Sequence, residues 1–148
     1  MIRTALTSDP VVVAAQLAAH DAGGHGASAM FVGRVRGDGG LTELYLEHHP
    51  AMTRLALDAL AATAAARWCL DQLTLIHRIG TMGPGETIVL VLASSAHRDG
   101  ALAACTFLID RLKTDVPLWK RESFADGRRA WVAPRASDGV RAAGWDQP

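Results

Sequence analysis

Helix-patterned segments and pairs of short strand-like segments alternate along this chain in the order α-β-β-α-β-β-α-β-β. That order constrains the fold more than any other feature. Helices inserted between strand pairs cover the strands they connect, which predicts an α+β sandwich with three main helices and a largely antiparallel or mixed sheet. A doubly wound parallel sheet is not expected, because no dinucleotide fingerprint opens a helix. The 148 residues read most simply as one domain, 1–148, without repeat or linker.

The individual segments carry their own signals. Ser8-Asp9-Pro10 reads as a helix start, with the helix running to about His20, and Asp21 through Gly26 as a loop. Ala27–Val35 and Leu41–Glu47 read as a hairpin around the flexible turn Gly37-Asp38-Gly39-Gly40. Pro50 opens a helix reaching about Trp68, with Met52, Leu55, Ala56, Ala59 and Leu60 as its apolar stripe. Leu73–Ile79 is a strand, Gly80–Glu86 a turn cluster, and Thr87–Leu92 a buried strand rich in β-branched residues. A helix from about Arg98 to Lys113 offers Leu102, Cys105, Leu108, Ile109 and Leu112 to the core. Leu118–Ser123 and Arg129–Val132 pair around Asp126-Gly127, and the tail from about residue 136 reads as loosely held.

Composition excludes some functions. Lys+Arg and Asp+Glu balance at 15 each, which argues against a general nucleic-acid binder. Cys69 and Cys105 lie in apolar segments without zinc spacing and read as buried thiols. No run of 18 apolar residues is present and the N-terminus lacks a signal-peptide core, so the cytoplasm is the default location.

Against that neutral balance, cations cluster in the C-terminal half. His97-Arg98 follow Ser94-Ser95-Ala96 at a helix start, where free N–H groups and a partial positive charge favour an anion; Ser95 as a plain cap with Arg98 in solvent fits equally. Lys113 closes the same helix, where dipole complementarity alone would explain it. In Trp119-Lys120-Arg121-Glu122, strand alternation sets Lys120 and Glu122 on one face and Trp119 and Arg121 on the other. Arg34-Val35-Arg36 closes a strand with both arginines on one face, suited to phosphate or to solvent. Together these residues suggest a pocket for a small anion. His48-His49 lacks a third ligand at useful spacing, and no metal site is expected.

Taken in order, Phe31-Val32-Gly33-Arg34-Val35-Arg36, Leu46-Glu47-His48-His49-Pro50, Ile76-His77-Arg78-Ile79-Gly80, Pro84-Gly85-Glu86, Ser94-Ser95-Ala96-His97-Arg98, Asp110-Arg111-Leu112-Lys113-Thr114, Pro117 through Glu122 and Trp131-Val132 resemble the large, catalytic subunit of molybdopterin synthase. The resemblance implies a hammerhead-type two-layer α+β fold. It implies a sulfurtransferase that converts cyclic pyranopterin monophosphate (precursor Z) to molybdopterin in molybdenum cofactor biosynthesis. The implied sulfur donor is the C-terminal Gly-Gly thiocarboxylate of a small ubiquitin-like subunit. The implied assembly is a homodimer carrying one small subunit at each end, a heterotetramer, with no cofactor of its own. By the same resemblance Lys113 and Lys120 are catalytic. Arg34, Val35, Arg36, His97, Arg98, Arg121, Glu122 and Arg135 bind or support substrate, Arg135 reaching across the dimer. The chain departs from the family in a shorter turn after Arg36 and in His49, where Tyr is common. The alternative is a catalytically silent relative that holds a pterin or a ubiquitin-like tail.

Overall fold

A computed structural model describes residues 1–20 and 24–147. The described elements are β1 (Ile2–Thr7), α1 (Val13–Ala19), β2 (Ala27–Arg34), β3 (Leu41–His48), α2 (Pro50–Arg67), β4 (Gln72–Arg78), β5 (Gly80–Met82), β6 (Thr87–Ser95), α3 (Arg98–Asp115), β7 (Leu118–Phe124), β8 (Arg129–Val132) and α4 (Ala136–Gly144). The architecture is α+β, and its strands divide into two four-stranded sheets, β1-β4-β6-β2 and β5-β3-β7-β8. β1 and β4 run parallel; every other described pair is antiparallel.

The first sheet is covered on both faces, which explains the unbroken apolar run in β6. Val89, Val91 and Ala93 join the main core with Leu57, Leu60 and Ala64 of α2 and Ala104, Leu108 and Leu112 of α3. Leu90 and Leu92 point the other way, toward Ile76, Val11 and Val13. A smaller core of Val35, Leu41, Leu44, Leu46 and Met82, flanked by Ile88 and Phe124, fills the inner side of the second sheet.

Several expectations are corrected. The chain begins with a strand, β1, and α1 starts at Val13 rather than Pro10; Ser8 and Asp9 form a bend in which the Asp9 N–H bonds Thr7 Oγ1 at 3.0 Å. The expected loop at Asp21–Gly26 falls partly on residues 21–23, outside the described residues. β2 and β3 do not form a hairpin: β2 pairs with β6, and β3 with β5 and β7. A register shift at Gly33/Arg34 interrupts the β2 ladder one residue before it ends, and the chain crosses between sheets through a 3-10 turn at Asp38–Gly40 in which Gly39 and Gly40 take positive φ. Residues 80–82 of the turn cluster form β5.

On α2 the buried positions are Thr53, Leu57, Leu60, Ala61 and Ala64, while Met52 and Leu55 are exposed. The alanine-rich helix is apolar around most of its girth, so spacing alone did not fix its inner face. Thr53 faces inward because its hydroxyl donates to the Pro117 carbonyl at 2.8 Å and accepts from the His49 N–H at 3.0 Å. Leu102 of α3 is likewise exposed. Cys69 is exposed, whereas burial pushes the Cys105 thiol up to about 11.

The tail expected to be loose forms a fourth helix, α4. Trp145 stacks edge-on against Trp68 and Phe107 at 5.7 and 5.6 Å, and its indole N–H donates to Asp110 at 2.9 Å. Arg67 donates to the Trp145 carbonyl at 2.9 Å, and Arg111 holds Asp146 at 3.0 Å. No described helix is long and apolar enough to cross a membrane.

His77 on β4 makes stability pH-dependent. Its ring is buried with Nδ1 2.7 Å from the Arg78 carbonyl, and burial lowers its pKa from 6.5 to about 4, the carbonyl bond opposing. The folded state therefore keeps His77 neutral where the unfolded chain takes up a proton. Stability should be full above about pH 6.5 and fall toward pH 4, by a total on the order of 3 kcal/mol. Urea unfolding across that range should show the slope, and His77→Gln should flatten it. An unchanged slope in that variant would exclude His77 as the source.

Candidate functional site

A cleft of about 200 Å³ opens where the chain crosses from the first sheet to the second. Its apolar floor is Val35, Leu41, Leu44, Ile88 and Phe124, part of the smaller core. Its polar walls are Arg34, Arg36 and Asp38 from the crossing, Lys120 and Glu122 from β7, and Arg135 from the start of α4.

Sheet register places the β7 residues. Lys120 lies opposite Leu46 on β3 and Val132 on β8, and Glu122 lies opposite Leu44 and Ala130. Both therefore stand on the same side as the inward Leu44 and Leu46, at the cleft edge. Their charged ends are 3.6 Å apart, and Arg36 lies 3.5 Å from Asp38. The walls hold four cations against two carboxylates, a formal excess of two positive charges. Each exposed pair is worth little alone. The surplus in a concave, apolar-floored site attracts a small anion, and the arginine forks suit phosphate oxygens.

Six of the ten residues expected in the site from sequence line this cleft: Arg34, Val35, Arg36, Lys120, Glu122 and Arg135, the last within its own chain, where the resemblance implied a reach across the dimer. Arg121 does not. It lies on the opposite face of β7, its guanidinium 4.8 Å from the Tyr45 ring centroid and 5.6 Å from that of Trp131, with Glu43 at 4.0 Å. Strand alternation forces this, since its neighbours Lys120 and Glu122 face inward.

Lys113 is also outside the lining, but it is tied to the cleft through α4. Its Nζ lies 3.3 Å from Asp138 Oδ1, and the Asp138 N–H donates to the Arg135 carbonyl at 3.0 Å. His97 and Arg98 sit at the other end of α3. Arg98 is exposed beside Asp99 at 3.8 Å, and Ser95 donates to the His97 carbonyl at 2.6 Å instead of capping the helix with its side chain. The helix separates Arg98 from Lys113 by about 22 Å along its axis. A single copy cannot close both ends of α3 around one small substrate. His49 is a helix cap: its Nδ1 accepts from the Met52 N–H at 3.2 Å.

Sequence reasoning missed Asp38, Asp138 and, apart from Val35, the apolar floor. Asp38 was visible only as part of a glycine-rich turn. Asp138 belonged to a tail whose Ala, Gly and Asp content read as loosely held. The floor residues are ordinary core residues until the crossing aligns them.

The MoaE protein family model matches residues 6–115. A molybdopterin synthase catalytic subunit from Pseudomonas aeruginosa is 48% identical over 127 residues, covering 84% of each chain. The solved structure of a molybdopterin biosynthesis MoaE protein from Burkholderia ambifaria MC40-6 superposes with a TM-score of 0.84 at 37% identity, over 100% of both chains. Molybdopterin synthase from Staphylococcus aureus gives a TM-score of 0.78 at 27% identity, covering 86% of this chain and 95% of that one.

Proposed function

The chain belongs to the MoaE protein family, and from that membership we propose that the cleft is where it carries out the sulfur insertion of a molybdopterin synthase catalytic subunit. The supporting observation is that three separate segments, 34–36, 120–122 and 135, bring four cations around one small apolar-floored cleft. The substrate is cyclic pyranopterin monophosphate, and the donor is the thiocarboxylate at the C-terminus of a small ubiquitin-like subunit. Both are anionic, and their mutual repulsion must be offset where they meet.

Arg34, Arg36 and Arg135 hold the cyclic phosphate, and Val35 and the floor take the flat pterin edge. Lys120 faces the bound pterin and assists proton transfer, with Glu122 as its neighbour. Lys113 orients the donor thiocarboxylate and stabilises charge as the acyl group passes to water. His97 and Arg98 act on a neighbouring copy's cleft within a homodimer, since they lie too far along α3 from Lys113 to serve their own. Arg121 supports β7 from its other face. The full assembly is a heterotetramer of two such chains and two small subunits, working in the cytoplasm, and residues 1–148 act as one domain.

Reconstitution tests this. Purified chain, thiocarboxylated small subunit and cyclic pyranopterin monophosphate should yield molybdopterin, read by fluorescence after oxidation. Arg36→Ala should raise the pterin KM by about 10-fold, the loss of one charge-assisted phosphate contact of about 1.5 kcal/mol. Pterin binding without product, using a verified donor, would instead mark a silent binding relative.

A further inference from the structure

We propose that Arg78 and Glu86 are positioning residues for the cleft, clamping the 83–86 turn so that it takes over where the sheet ladder stops, behind Val35 and Arg36. The inference rests on the cleft being the pterin site.

The need for a clamp follows from the strand pairing. The β2–β6 ladder ends at Arg34 opposite Thr87, so Val35 and Arg36, the next two residues lining the cleft, lie beyond it. Val35 is buried there, so its peptide groups need partners. They find them in the turn: the Val35 N–H donates to the Glu86 carbonyl at 2.9 Å, and the Val35 carbonyl accepts from the Gly85 N–H at 2.8 Å. Arg34 donates to the Gly85 carbonyl at 3.3 Å. Gly37 closes against Pro84, where an added Cβ would stand 3.3 Å from the ring. The turn thus grips the wall at several points.

The turn itself is held by one ion pair. Arg78 ends β4 and is 3% exposed. Its guanidinium donates to Glu86 Oε1 at 3.1 Å and to the Thr81 carbonyl at 3.3 Å. The second Glu86 oxygen accepts from the Gly83 N–H. One carboxylate therefore joins the buried cation to the turn backbone. The Gly83 N–H first, and Arg78 second, hold the Glu86 carboxyl below the usual range, so it stays ionised. With the Glu86 side chain 41% exposed, the pair adds little net stability. Fixing the geometry of a wall that lacks its own ladder gives it a reason to exist.

The test uses Glu86→Gln in the full chain, because one amide oxygen cannot serve both Arg78 and Gly83. Amide hydrogen exchange at Val35 and Gly85 should accelerate about tenfold or more while Leu90 and Leu92 exchange as in the wild type. In the reconstituted enzyme the pterin KM should rise about tenfold, with turnover at saturating pterin within about twofold of wild type. A stability defect alone would not split KM from kcat in this way. Should Glu86→Gln fail to fold, Gly85→Ala loosens the turn from the backbone, since Gly85 has a φ of 86°. It should give the same two changes with both charges in place. Either folded variant with wild-type exchange at Val35 and wild-type KM would overturn the proposal. Wild-type protein that binds no pterin would instead sink the reading of the cleft, and the exchange data would still decide the clamp.

Discussion

Lys120→Ala should cut molybdopterin formation by about 10² to 10⁴-fold, the range for losing a positioned acid–base group. β7 fixes Lys120 firmly. It is hydrogen-bonded on both sides, between β3 and β8, and its register with Leu46 and Val132 points the side chain to the cleft. The nearest counter-charge is Glu122 at 3.6 Å. Without the ammonium, Glu122 and Asp38 would face an incoming phosphate with one cation fewer, so pterin affinity should fall as well. The fold should survive. The side chain is 42% exposed, and a surface truncation of that kind shifts stability by roughly 0.5 kcal/mol or less. Lys120→Arg separates the two roles. Arginine keeps the charge but does not release a proton near neutral pH, so binding should recover while turnover stays low. Full turnover in Lys120→Arg would reduce Lys120 to an electrostatic contact. Full turnover in Lys120→Ala would remove it from the chemistry.

Much of this site was legible in the sequence because strands impose strict alternation. The pattern Trp119-Lys120-Arg121-Glu122 fixed which residues share a face, and β7 keeps that assignment. The same rule excluded Arg121 from the cleft, although family resemblance placed it among the site residues. The alanine-rich α2 was harder to read. Ala59 and Ala61 differ little as residues, and burial of Thr53 depends on a hydrogen bond to Pro117, 64 residues away. β1 was missed because its partner, β4, lies some seventy residues along the chain. α4 was missed because its small polar composition hides an amphipathic turn pattern, and because Trp145 docks it on Trp68 and Phe107, which are distant in sequence. The expected β2–β3 hairpin does not form because β2 pairs along its whole length with β6, some sixty residues on, and β3 with β5 and β7. The ladder ends at Arg34 opposite Thr87, and the cleft forms just beyond it.

Lys113→Ala should abolish turnover, by about 10²-fold or more, while leaving the pterin affinity of the cleft unchanged. That combination separates it from Lys120, whose loss should affect both. Lys113 stands outside the cleft lining, in the last turn of α3, so its removal takes no contact from the bound phosphate. Its tie to the site is indirect: Asp138 holds its ammonium at 3.3 Å, and Asp138 is bonded through its N–H to Arg135, which does line the cleft. A lysine held at the margin in this way is available to a second anion arriving beside the first, which is where a donor tail must enter. Asp138 competes with that tail for the same ammonium. The tail therefore has to displace one carboxylate from a lysine that is itself 54% exposed, an exchange of like for like. The variant should also fold, because the pair contributes about 0–1 kcal/mol and the helix-dipole contact a similar amount. Equilibrium titration with pterin, followed by single-turnover assay with the thiocarboxylated partner, reads both quantities on one preparation. Weakened pterin binding in Lys113→Ala would move this lysine into the substrate pocket, and unchanged single-turnover rates would remove it from sulfur transfer altogether.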